Sequence, residues 1–278
     1  MNNSLQTHTI LVGLKLSAPG MRRPDRAARH ELAANKETSE DAWSVSKLLF
    51  PHDPLKPLRQ FDQDFRRWFN QQTAPFGDLM RIIRIEALDT LQTAYRERAE
   101  KRSALVREFL GHYVEHIERA KRALNGEFDA SQYPDPARLN FDHELEVLPV
   151  PSRDNLLVEV EQEVLAELRE QTEQSIRNAV DQARLDTLRK MAEPLAKLTK
   201  RVKAFPQLWA ELRETAQAAL NCNVEGDPAI DALAAAIKEI SLNYDPAHMK
   251  PDGDQAAAAR GDAKAILSRM AKLLEEEK

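Results

Sequence analysis

The apolar positions of this chain fall into two long helical runs and a few short alternating segments. Residues 84–125 place Leu88, Leu91, Tyr95, Val106, Phe109, Tyr113, Ile117, Ala120 and Leu124 mostly at three- and four-residue steps. That spacing lines up side chains along one face of an α-helix. Residues 153–192 do the same with Val160, Val164, Leu168, Thr172, Ile176, Val180, Ala183, Leu188 and Met191. Steps of four dominate there, so the stripe drifts from a strict heptad and predicts an irregular return helix rather than a long symmetric zipper. Between the runs, Leu139, Phe141, His143, Leu145 and Val147 alternate with Asn140, Asp142, Glu144 and Glu146. This predicts a strand over Leu139–Leu148 with an acidic outer face, stopped by Pro149-Val150-Pro151. A second alternation, His8 to Leu16, predicts its partner, because a lone strand leaves its backbone unsatisfied. Leu79–Ile85 predicts a third strand. The expected fold class is therefore mainly α: a long antiparallel, coiled-coil-like helical arm with a small β-sheet at its base.

Shorter elements follow from capping and turn residues. A helix is expected near Pro24-Asp25, and another over Ser39–Leu49, opened by a Ser N-cap and acids in its first turn. From Leu55, the residues Leu58, Phe61, Phe65, Trp68 and Phe69 make an aromatic amphipathic helix whose other face carries Arg59, Arg66 and Arg67. The nearly all-charged stretch Arg96–Arg102 thins the first apolar stripe. It predicts either an exposed part of the arm or salt bridges in place of packing. Asn125-Gly126 is a C-cap signal. Pro194 is expected to kink or end the second run, and helices follow at Leu195–Leu220 and 228–241. The chain then divides into 1–83, an N-terminal strand and short helices; 84–153, first arm helix, turn and strand; 154–243, return helix and helical region; a linker at 244–256; and a last helix, 257–278, expected to dock loosely or stand free.

Composition narrows the function classes. Of 278 residues, 42% are hydrophobic and 31% charged, with only 8 Gly; this favours long surface helices over a glycine-rich α/β enzyme. The formal net charge of −5 argues against bulk attraction to nucleic acid or to an anionic membrane. One cysteine, Cys222, leaves no internal disulfide or CxxC site. No signal peptide is read at the N-terminus, and no apolar stretch approaches the roughly 20 residues that span a bilayer. A cytoplasmic protein is the expectation.

Chemistry has few candidates. His112-Tyr113-Val114-Glu115-His116 matches HxxEH, in which two imidazoles one helical turn apart reach one Zn²⁺ with a glutamate beside them as base. A third ligand would come from Glu159, Glu161, Glu163 or Glu167. With 7 His and 45 acids in the chain, a five-residue pattern is easily met by chance, and the structural reading of His112 and His116 outweighs the metal one. Arg59, Arg66, Arg67 and Trp68, and separately Lys197, Lys200, Arg201 and Lys203, combine cations and aromatics as single-strand nucleic-acid binders do; each is weighed against an ordinary solvated helix face. Cys222 has no basic sequence neighbour to activate it. No catalytic residue, cofactor motif or small-molecule site is assigned.

Lys47-Leu48-Leu49, Thr73-Ala74-Pro75-Phe76, the Phe109–Tyr113 helix, Tyr133-Pro134, Pro149-Val150-Pro151 and Gly226-Asp227-Pro228 give the chain a scattered resemblance to uncharacterised bacteriophage and prophage proteins, some grouped as domains of unknown function. The resemblance implies a setting in phage DNA replication or recombination or in host takeover, in the host-cell cytoplasm. The long helical arm without a chemical site adds the expectation of a non-enzymatic helical protein that binds a protein partner or itself. Direct single-stranded DNA binding and zinc-dependent hydrolysis are the alternatives.

Overall fold

A computed structural model gives the fold and describes residues 2–151, 162–200, 206–244 and 253–275. The expected start of the second run near Asp154, and Val160 in its stripe, lie outside the described residues. In chain order the elements are α1 (Asn2–His8), β1 (Thr9–Leu16), β2 (Arg22–Pro24), α2 (Arg26–Asn35), β3 (Ser46–Leu48), α3 (Lys56–Gln72), β4 (Ala74–Phe76), β5 (Met80–Arg84), α4 (Leu88–Gly111), α5 (Tyr113–Leu124), β6 (His143–Leu148), α6 (Gln162–Lys200), α7 (Pro206–Cys222), α8 (Pro228–Asn243) and α9 (Asp254–Glu275). The fold is mainly α with a small antiparallel sheet. The chain forms two units, one of Met1–Leu14, Arg66–Ala94 and Leu145–Lys278, the other of Lys15–Phe65 and Tyr95–Glu144.

The first unit is built on a sheet of order β4-β5-β1-β6. The two alternating segments do pair, and the third strand exists. It lies on the other side of β1 in the register Thr9↔Arg84 to Val12↔Arg81. Period-two alternation gives the sheet two apolar faces. Ile10, Val12, Leu14, Ile83, Leu145 and Val147 pack with Trp68 and Phe69 of α3 and with Leu88 and Leu91 of α4. Leu11, Ala74 and Ile82 pack on the opposite face with Ile176, Val180 and Ala183 of α6 and with Cys222.

Further along α6, Leu188, Met191, Leu195 and Leu198 join Trp209 and Leu212 of α7, Ile230, Leu233 and Ile237 of α8, and Ala256, Ala259, Ala263, Ile266 and Met270 of α9 in one core. Within this unit α6 therefore packs on α7, α9 and β4, partners that the picture of a return helix against the first run did not include. The last helix does not stand free. Ala256, Ala259 and Ala263 are fully buried, and small side chains at steps of three and four let α9 approach its neighbours closely. Nor does Pro194 end the helix; α6 continues through it to Lys200. The lost backbone donor costs helix stability, but Met191, Leu195 and Leu198 are buried on either side, at roughly 1.5–3 kcal/mol for each large side chain.

The second unit contains the β2–β3 ribbon, with Arg22↔Leu48 and Pro24↔Ser46 paired. Its core joins Leu49, Phe50, Leu55 and Leu58 to Phe109, Tyr113 and Ala120, with Tyr133, Leu139 and Phe141 against them. Phe50 meets Phe109, Tyr113 and Tyr133 edge-on at 5.3–6.3 Å, the arrangement ring quadrupoles favour.

Two expectations change in this unit. Ser39 does accept a hydrogen bond from the Asp41 N–H, but it opens only a single turn, Glu40–Ala42, before the chain extends into β3. Pairing with β2 wins over the helical stripe. The strand expected from Leu139 starts at His143. Leu139 and Phe141 belong to the aromatic core instead, and the Asn140 side chain accepts from the Asp142 N–H at 2.8 Å, forming a local turn.

Candidate functional site

Charged groups placed on apolar stripes are the structure's least expected feature. Arg102 is fully buried in the second unit. Its Nε donates to Asp62 Oδ1 at 2.8 Å and its Nη2 to Asp62 Oδ2 at 3.2 Å. Nη1 donates to the Phe141 carbonyl at 2.6 Å and Nη2 to the Ser17 carbonyl at 2.5 Å. Asp62 is itself buried. The planar fork of arginine suits this mixture of carboxylate and carbonyl acceptors. The pair therefore joins α3, α4, the chain after β1 and the chain before β6 within one unit. Of the two expectations for Arg96–Arg102, the salt bridge holds at Arg102, while Arg96, Glu97, Glu100 and Lys101 are exposed.

The HxxEH residues sit in the same unit, at a break. α4 ends at Gly111 and α5 begins at Tyr113, with His112 between them. The His112 Nδ1–H donates to the Glu108 carbonyl at 2.9 Å. His116 faces His52 instead of a carboxylate: His52 Nε2 lies 3.3 Å from His116 Nδ1. Among the described residues no three His, Cys, Asp or Glu are grouped to hold a metal ion. Glu163 and Glu167 lie on α6, in the first unit, and Glu159 and Glu161 lie outside the described residues. Burial, then Arg119, holds His52 below the usual histidine range. Burial, then His112 and Arg119, does the same to His116. Both are neutral at physiological pH.

The basic-aromatic face of α3 separates into parts. Phe65 is buried and Trp68 half-buried against the sheet, so neither offers a free face to a base. Arg59 pairs with Asp53, while Arg66 and Arg67 are on the exposed side of the helix. In the second patch, Lys197 binds Glu211 at 2.6 Å and Glu193 at 3.0 Å. Those carboxylates, Glu211 first, raise its pKa. Lys200 is exposed near the end of α6, and Arg201 and Lys203 lie outside the described residues.

A narrow cleft, open to solvent, lies in the first unit. Gln72, Lys190, Pro194, Glu211, Glu214 and Cys222 are among the residues lining it. Cys222 is buried, and burial pushes its thiol up to about 11 despite Lys190 and Arg81 nearby, so it has no thiolate character near neutrality. Lys190 Nζ donates to the Asn70 and Thr73 carbonyls, at 2.5 and 2.8 Å, and pairs with Asp186 at 2.6 Å. Arg81 also donates to the Asn70 and Thr73 carbonyls. Two cations therefore cap the C-terminal end of α3, where the helix dipole is negative.

Of the groups that sequence reasoning missed, Asp62, Arg102 and Arg81 are held in hydrogen bonds and ion pairs, and His52 faces His116. Comparison of the chain with protein-family models, with curated proteins and with solved structures finds no match.

Proposed function

We propose that the protein is a non-enzymatic helical binding protein that engages a protein partner by strand addition at β6. One observation carries the reading: β6 is an edge strand of the sheet, and among the described residues no strand pairs with its outer side. The Ser17 N–H donates to the Asp142 carbonyl, and Gly13 lies opposite Glu146. In that antiparallel register Glu146 and Leu148 turn their backbone groups to β1, and Leu145 and Val147 turn theirs outward. Leu148 is exposed beside them. An open edge of this kind is a template for an extended segment of another chain. The commitment of Cys222, Arg102, Asp62, Lys190 and Lys197 to buried or paired roles supports binding over catalysis.

The setting we propose follows the sequence resemblance: the host-cell cytoplasm, in a phage or prophage assembly for DNA replication or recombination or for host takeover. No described helix is long and apolar enough to cross a membrane. The test exploits the rule that proline is tolerated where a strand's N–H points away from its sheet. Val147→Pro removes the outward donor, whereas Val147→Ala trims the side chain and keeps the donor. Partner capture that survives Val147→Ala and fails with Val147→Pro is the expected result. Equal capture by both variants contradicts strand addition.

A further inference from the structure

We propose that His52 and His116 chelate a late first-row divalent cation, Zn²⁺ or a neighbour such as Ni²⁺, through Nε2 of His52 and Nδ1 of His116. The two nitrogens are 3.3 Å apart. That is long for a hydrogen bond between ring nitrogens, since N–H donors lie mostly at ~2.9–3.0 Å from their acceptors. It matches the chord between two ligands on one tetrahedral ion: bonds of about 2.0–2.1 Å opened to the tetrahedral angle span about 3.4 Å.

The rings are held for this. Phe109 stacks on His116 with ring centroids 5.6 Å apart and planes within 16°. Phe50 meets His52 and His116 edge-on at 6.0 and 6.3 Å. The imidazoles arrive on separate elements, the turn after Phe50 and helix α5, so the aromatic core brings the nitrogens together without a sequence motif. Both rings are neutral near pH 7, the state a metal needs. Imidazole pairs select zinc and its neighbours over magnesium or calcium, which prefer oxygen.

Charge around the pair is mixed. Asp53 beside His52 and Glu115 beside His116 favour a cation, while Arg119 and His112 oppose one. Two imidazoles make a bidentate site, since no third protein donor is grouped with them among the described residues; water fills the remaining positions when the ion binds. His112 is the nearest further imidazole, its ring centroid 6.4 Å from that of His116. This site differs from HxxEH: its second ligand is His52, and it needs no glutamate base.

The test uses full-length protein without a polyhistidine tag, stripped with a chelator and titrated calorimetrically with Zn²⁺ or Ni²⁺ alone near neutral pH. One equivalent should bind per chain. Binding should be lost in His52→Ala and in His116→Ala, retained in His112→Ala, and tightened several-fold in Arg119→Gln. A second measurement needs no variant: in the wild-type protein the metal should protect His52 and His116, and no other histidine, from carbethoxylation read by mass spectrometry. Absence of one-equivalent binding overturns the proposal. So does uptake that both alanine variants leave unchanged, or protection that falls on other histidines.

Discussion

Arg102 occupies a position where a hydrophobic residue is expected. Ala99, Arg102, Val106 and Phe109 follow steps of three and four on one helix, and Leu58, Asp62, Phe65 and Phe69 do so on another. A cation and an anion, each set into an apolar stripe, predict a buried pair, and that was the available signal for Arg102 and Asp62. Removing one member leaves the other buried without its charge partner. Arg102→Leu or Asp62→Leu should therefore cost about 3–5 kcal/mol in chemical denaturation. The double substitution should recover only part of that, because the Ser17 and Phe141 carbonyls also lose their donor, at about 1–3 kcal/mol each where they stay buried.

The lowered pKa values of His52 and His116 have the opposite dependence to that of a histidine gaining an anionic partner. The unfolded chain, with its ordinary value near 6.5, takes up protons first on acidification. Stability in place above about pH 6.5 is lost as pH falls from there through the folded values. With chelator present, His52→Gln and His116→Gln should each flatten that loss in pH-dependent melts. Cys222, held up to about 11, should resist alkylation at mildly alkaline pH until the protein unfolds. Rapid modification of the native protein would contradict its burial.

At the scale of elements, the strength of each pattern decided what could be read. β1 and most of β6 were legible because apolar positions alternate along them. The helix from Lys56 was legible from its aromatic spacing. The turn at Glu40–Ala42 was not, because a correct capping signal opened a helix that tertiary pairing with β2 cut short. The role of α9 was not legible either: alanines at helical spacing are equally consistent with a free helix and with close packing. Ala259 and Ala263 lie fully buried against α6 and its neighbours. Ala263→Leu should therefore overpack that core, at roughly 1–3 kcal/mol, and lower the thermal midpoint. An unchanged midpoint would mean that α9 is not docked.

For the molecule as a whole, the stripes of the two long runs were readable and their partners were not. Periodicity fixes which face of a helix is apolar, but not what covers it. Phe109 and Tyr113 of the first run sit in an aromatic core, and Leu188 to Leu198 of the second sit among α7, α8 and α9. The candidate sites were less legible still. HxxEH matched a pattern, but the imidazole facing His116 comes from His52, some 64 positions earlier, and no local motif encodes such a meeting.

The central claim is that the protein works by presenting the outer edge of β6 to another protein. It is tested most directly by quantitative affinity capture of the full-length chain from cells that express it, with wild type, Val147→Ala and Val147→Pro compared by mass spectrometry. The account predicts a defined partner held by wild type and Val147→Ala and lost with Val147→Pro, while circular dichroism of all three stays the same. Capture of the same partner by all three folded proteins would contradict it.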